Sequence, residues 1–449
     1  MMQSPKTLFV VHSFGQKPIA DSPALLEVVN PMLASGRLGE TKVVEIGSQD
    51  QDLWAFFSSQ IENFKRELGD KPVVIYSAGS DTKKYFEVFD GLNIVALADK
   101  DATKWQKPWE AGGKSYSVIP PEKIPAYAEA VIVSNRGYEA DILRDLRRQF
   151  EDGVALFPLY GEAFFQASQR SWQDKVQAAF SQFQPDLVVH TPTYPKENLP
   201  AAFFLGLKAQ SPELKIATLW WDFDEEDPQG AFLNYERSVL RYADFVADNS
   251  NGTRLVRMQK HEVPYQLHPN VEKVHFHPTV FDPAIFHPRE VAFKYDVALF
   301  GNSFGHRKTI INFLKTEYPA TSEQPFHHIG GVQEANQYVS IEDYALALCQ
   351  TKVCVNTQTY ASRIQCKGKV REALACGVFL LEEDNPETRL LLEEGEGVVY
   401  FSGLDDLKQK IDFYLANPDE RLAVIERGQQ RVQQRFNATC WTQTLLELV

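Results

Sequence analysis

No apolar stretch among the 449 residues approaches the roughly 18–20 needed to cross a bilayer, so the sequence predicts no transmembrane segment. A basic surplus is lacking too. Sixty acidic residues against 46 Lys and Arg leave a formal charge of -14. Such a chain has no broad cationic face for neutralising phosphates, which excludes a general nucleic-acid binder but leaves room for a local basic pocket. Cysteine is scarce: Cys349, Cys354, Cys366, Cys376 and Cys440 all lie in the last quarter, with no CxxC pair. A chain of this size needs no disulfide framework, so reduced thiols and a cytoplasmic location are expected. The first residues lack the layout of a signal peptide. Histidines His275, His277 and His287 cluster, but without HxxxH or HExxH spacing, so no metal site is expected.

What is present is ordinary globular material, 44% hydrophobic and 24% charged. The length suggests about three domains. Short apolar runs alternate with amphipathic stretches, the pattern of βαβ units and parallel sheets. Strands are expected at 8–11 and 42–46, with a helix over 51–68. A self-contained unit follows: strands at 73–76, 94–98 and 130–134, helices at 81–89 and 138–150, and a loop around Pro108, Gly112 and Gly113. Another α/β layer runs from a long helix at 162–183 to a strand at 245–248. The Pro- and His-rich stretch 275–288 reads as a linker. The last section resumes with a strand at 295–300 and ends almost entirely helical.

Three features of that last section converge. Gly301, Asn302 and Ser303 follow a strand and lead through Gly305 into a helix, beside Arg307 and Lys308. Glycine lets backbone N–H groups approach an anion, and a helix N-terminus adds unpaired donors. Lys367 and Lys369 open a second helix, in which Val370, Ala373, Leu374 and Gly377 form one apolar face. A lysine in a first turn opposes the helix dipole and makes sense where it meets a phosphate. Asn356 follows a strand end, where open α/β sheets place their ligand crevice.

Residues 369–381, Lys-Val-Arg-Glu-Ala-Leu-Ala-Cys-Gly-Val-Phe-Leu-Leu, resemble the donor-site signature of group 1 glycosyltransferases. The resemblance is closest to the CgeB-like, spore-maturation branch and extends over about residues 293–449. It implies an α/β fold of the GT-B type, two facing Rossmann-like domains, here with a small Rossmann-like insert. The expected division is 1–70 with 158–290 for the acceptor side, 71–157 for the insert, 291–430 for the donor domain, and a final helix at 431–449 crossing back. The resemblance implies that Glu372 contacts the ribose of a UDP- or GDP-sugar, and that Lys369 and the Gly301 loop face its diphosphate. The position eight before Glu372, acidic in many members, is Ile364. Arg307, Lys308, Lys369 and Lys367 can stabilise the leaving diphosphate without a metal. No tightly bound cofactor is expected, and the acceptor is a protein or glycan. An inverting transfer would need a base from the N-terminal half, for which Asp222 and His12 at strand ends are candidates.

The middle unit offers a rival. Gly79 stands where a dinucleotide fingerprint belongs, and Asp99 lies at the next strand end, as a ribose-binding acid would. Only one fingerprint glycine is present. The alternatives are thus an NAD-dependent oxidoreductase or epimerase of nucleotide sugars, and a catalytically silent interaction protein on the same fold.

Overall fold

A computed structural model describes all residues except 1–3, 13–21, 23, 48–49, 106, 137, 151–152, 193–197, 221–229, 304, 331–338 and 360–363. The chain opens with β1 (Thr7–His12), every residue of which is buried. An unbroken apolar run suits a strand covered on both faces of a parallel sheet. β2 (Thr41–Ile46) pairs with it in parallel and is partly exposed, as an edge strand can be.

Residues 47–172 then form a compact unit. Its strands are β3 (Pro72–Tyr76), β4 (Asn93–Ala98), β5 (Pro108–Ala111), β6 (Lys114–Ile119), β7 (Ala130–Val133) and β8 (Ala155–Pro158). They pair in the order β5-β6-β4-β3-β7-β8, all parallel except the β5–β6 hairpin. That hairpin replaces the loop expected around Pro108. The helix expected over 81–89 is broken into Ser80–Lys84 and a 3-10 turn, Phe86–Phe89. The unit is wider than the 71–157 expected. The helix Asp50–Leu68 contributes Leu53, Phe57, Ile61 and Phe64 to the core of this sheet, and Phe164 of the helix Gly161–Phe183 joins the same core.

Residues 1–46 and 173–449 make up the other unit. β9 (Leu187–Thr191), β10 (Lys215–Trp220), β11 (Phe245–Asp248) and β12 (Val274–Phe276) return to the first sheet, giving the order β12-β11-β10-β9-β1-β2. The edge strand β12 runs into what reads from sequence as linker. β13 (Tyr295–Phe300), β14 (Phe326–Ile329), β15 (Thr351–Asn356), β16 (Phe379–Glu383) and β17 (Val398–Phe401) form a separate parallel sheet in the order β14-β13-β15-β16-β17. The fold class is therefore α/β with Rossmann-like parallel sheets, as expected. Both sheets of this unit reverse strand order beside their first strand, at β1/β9 and at β13/β15. The crevice outside the carboxyl ends of strands at such a reversal is where open α/β sheets bind ligands.

One apolar core joins the two sheets of this unit: Phe9, Val28 and Met32 share it with Val370, Leu374 and Trp441. The last helix, Ala438–Leu448, packs on the short helix Asn30–Ala34. Its Trp441 stacks on His277 at 4.9 Å, so that histidine serves packing. A polar clasp adds to this. Glu387, buried beyond β16, accepts hydrogen bonds from the backbone N–H of Gly252 (2.6 Å) and Thr253 (3.1 Å), beyond β11.

Candidate active site

The site is built where β13 and β15 part. β13 ends at Phe300, and Gly301 turns the chain with φ of 109°, left-handed backbone that favours glycine. A side chain there would also displace the cations from their places. Its Cβ would collide with the Lys369 ammonium and lie 3.2 Å from Arg307 Nη1. Glycine thus admits two cations to one point. Lys369 arrives from the first turn of the signature helix, Gly368–Ala375, and its Nζ donates to the Phe300 carbonyl at 2.5 Å. Arg307 arrives from the first turn of the helix His306–Glu317. It is 6% exposed and donates to the carbonyls of Thr357 (2.9 Å) and Asn302 (3.4 Å). Its Nε has no hydrogen-bond partner among the described residues.

These cations are held in an uncomfortable state. Burial, reinforced by Arg307, pushes the Lys369 amine down to about 7, against the pull of Glu372 and Cys354. Burial also lowers Arg307, with Glu382 opposing. Carbonyl oxygens neutralise neither charge, so an anion between them would relieve both.

Glu372 stands on the same helix. The predicted stripe holds: Val370, Ala373 and Leu374 are buried against the sheet, while Glu372 stays off it. The Tyr344 hydroxyl donates to Glu372 Oε2 at 2.7 Å. Burial first, then Glu27, raises the Glu372 carboxyl to about 7; the Tyr344 bond, Lys369 and Arg371 oppose this. Glu27 comes from the first sheet's side of the unit, in the π-helical segment Leu25–Val29. Its Oε2 accepts from the Thr279 hydroxyl at 2.5 Å and lies 3.9 Å from Arg371 Nη2.

The other sequence candidates fall into place around this cluster, or away from it. Asn302 and Ser303 lie in the half-buried loop after Gly301. Lys308 is exposed, about 100° around its helix from Arg307. Lys367 stands at the N-cap position of the signature helix without a side-chain cap bond, and donates to the Gln365 side chain. Asn356 is buried at the end of β15, but its amide donates to Glu382 at 2.6 Å, so it orders the strand ends. His12 ends β1 at the first sheet's reversal point and is buried. Asp222 lies outside the described residues. In the 47–172 unit, the Asp99 carboxylate accepts from the N–H groups of Ala78 (3.0 Å) and Asp101 (2.9 Å) and pairs with Lys104 (2.8 Å). It is held by its own loop and by the loop after β3. Gly79, with φ of -100°, needs no glycine-only conformation. Among the described residues no group of three or more His, Cys, Asp or Glu could hold a metal.

Four contributors carry no signal in the sequence reading: Glu27, Thr279, Tyr344 as a partner of Glu372, and His328. The last has its Nε2 2.6 Å from the Gly301 carbonyl oxygen. Each meets the cluster through tertiary approach, which no local spacing reveals.

Comparison with known proteins bears on this region. Residues 286–447 match the family described as glycosyl transferase-like. None of the curated proteins is significantly similar. Among solved structures, HepE of Anabaena in complex with UDP is 12% identical, with 84% of this chain and 98% of that one covered and a TM-score of 0.47. Sucrose-phosphate synthase of Thermosynechococcus elongatus is 12% identical over the same shares, with a TM-score of 0.46. A putative UDP-N-acetylglucosamine 2-epimerase of Listeria monocytogenes is 8% identical, covering 99% of this chain and 95% of its own, with a TM-score of 0.44. TM-scores this low fix neither relationship nor function. The Gly301–Arg307–Lys369–Glu372 cluster thus lies wholly within a segment similar to the glycosyl transferase-like family.

Proposed function

We propose that the chain is a GT-B glycosyltransferase that moves a hexosyl group from a UDP- or GDP-sugar to a protein or glycan acceptor. The observation that carries this reading is the convergence of Arg307 and Lys369 over Gly301, at the strand-order reversal of the segment similar to glycosyl transferase-like proteins. In this reading the diphosphate lies between the two cations and the ribose hydroxyls meet Glu372. As the bond from the sugar C1 to the phosphate oxygen breaks, negative charge builds on the departing diphosphate. Preorganised cations in a partly dehydrated site stabilise that charge, and these two can do so without a metal. The first sheet's side holds the acceptor; in an inverting reaction His12 or Asp222 is the candidate base. The CgeB-like branch and a cytoplasmic location complete the proposal, on the resemblance of residues 369–381 and the free cysteines.

Glu372 is the direct test. Losing a hydrogen bond to a charged group costs about 1.5–3 kcal/mol, so Glu372→Ala should raise the dissociation constant for the matching UDP- or GDP-sugar roughly ten- to a hundredfold. Titration calorimetry reads this, and unchanged affinity removes the ribose role.

A further inference from the structure

Two buried amides next to the cation pair have no use in the reading above. Gln358 and Gln365 belong to the segment that joins β15 to the signature helix, and they are 3% and 0% exposed. One bond fixes the orientation of each amide. Gln358 Nε2 donates to the Gln365 carbonyl at 2.9 Å, which leaves Oε1 as its other end. Gln365 Oε1 accepts from Lys367 Nζ, which leaves Nε2 as its other end. These two remaining ends, Gln358 Oε1 and Gln365 Nε2, are buried without a hydrogen-bond partner among the described residues. A buried polar group left unbonded costs about 1–3 kcal/mol, and native proteins bond nearly all of them.

Their place narrows what the missing partner is. Thr357, one residue before Gln358, gives its carbonyl to Arg307 at 2.9 Å. Lys367, which holds Gln365, stands at the start of the helix that carries Lys369, and its charge helps to depress the Lys369 amine. The amides thus adjoin the residues that position both cations, beyond the carboxyl end of β15, where open α/β sheets bind ligands. Neutral amides are not built for a further phosphate. One free end accepts and the other donates, and a hydroxyl does both with a single oxygen. In a sugar nucleotide the diphosphate has ribose on one side and the transferred sugar on the other. The ribose is the part read above as meeting Glu372, which leaves the transferred sugar, uncharged and rich in hydroxyls.

We propose that Gln358 and Gln365 form a neutral subsite for a hydroxyl of the transferred hexose, Gln358 Oε1 accepting from it and Gln365 Nε2 donating to it, so that the pair selects the sugar. This rests on the transferase reading. A few placed polar groups of this kind are what fix the orientation of a ligand and discriminate among its analogues.

The experiment is titration calorimetry of wild type, Gln358→Met and Gln365→Met with UDP, GDP, UDP-glucose and GDP-mannose. Methionine keeps the length of the side chain and removes the amide. The expected result is a loss of about tenfold in affinity for the sugar conjugate, with affinity for its nucleoside diphosphate unchanged. Monodeoxy analogues of the conjugate add a readout on wild type that needs no variant. Removing the recognised hydroxyl should cost wild type about tenfold, and should cost either variant little, because its partner has already gone. Equal losses for nucleoside diphosphate and conjugate, in a variant whose melting temperature is unchanged, overturn the proposal by making the amides part of nucleotide binding. Unchanged affinity for every probe in both variants overturns it too, and leaves water as the partner. If a variant fails to fold, wild type decides: monodeoxy analogues that all bind as tightly as the parent overturn the proposal. Failure of wild type to bind any probe overturns the transferase reading itself, and is distinct from these.

Discussion

Lys369 shows most plainly how a single residue carries the account. Its amine is held at about 7, against an ordinary 10.5. Between those values the unfolded chain binds a proton that the folded chain lacks. Folding stability from this group therefore rises with pH across that window, and its full cost is present below about 7. Glu372 runs the other way: raised from 4.5 to about 7, it favours the fold below 4.5 and loses that contribution as pH climbs through 7. An anionic ligand beside Lys369 restores its proton. Binding of a nucleoside diphosphate at pH 8 should thus take up about one proton, seen as a dependence of the calorimetric enthalpy on the buffer's ionisation enthalpy. Lys369→Met should abolish the uptake and weaken binding by about 2–5 kcal/mol, while raising the melting temperature at pH 7. Binding without proton uptake would mean that the amine is already charged in the free protein. At this scale the sequence was legible where chemistry and position conflict, as with a lysine in a helix's first turn. It was silent on Glu27, whose partner Thr279 lies 252 residues further along the chain.

At the scale of elements, the signature helix and the helix His306–Glu317 each deliver one cation from the first turn to one glycine. The placement of the signature helix follows from an apolar stripe that was readable in advance. The clasp at Glu387 was not readable, since it joins backbone N–H groups beyond β11 to a carboxylate beyond β16. The chain is tightly packed at this point: a Cβ on Gly252 would sit 2.8 Å from Phe276. Glu387→Ala should leave buried donors unsatisfied and cost about 1–3 kcal/mol of stability, measured by denaturant unfolding. A change within error would show that water replaces the carboxylate. The strands missed from sequence have physical reasons too. β5 and β6 flank Gly112-Gly113 and are largely exposed, so they lack a buried alternation. β14 reads Phe-His-His-Ile, and β12 lies in a proline-rich stretch, both of which mute the apolar signal.

At the scale of the whole chain, α/β alternation was enough to read parallel sheets, because buried strands and amphipathic helices leave periods that differ. Boundaries were harder. The helix Asp50–Leu68 belongs to the 47–172 unit because its apolar face is covered there, and an apolar face does not say in advance which sheet will cover it. The same limit applies to function: two Rossmann-like sites, one at Gly301 and one at Gly79, were open to a nucleotide on sequence grounds. They differ in their charged groups: two cations converge on Gly301, whereas Asp99 is engaged by Lys104 and by the backbone N–H of Ala78. A thermal-shift panel of UDP, GDP, ADP, CMP and NADH on wild type and Lys369→Met tests that distinction most directly, since a ligand bound only by the native state raises the melting temperature. The account predicts a rise with UDP or GDP that Lys369→Met removes. A rise with NADH alone, undiminished in Lys369→Met, would contradict it and move the chemistry to the 47–172 unit.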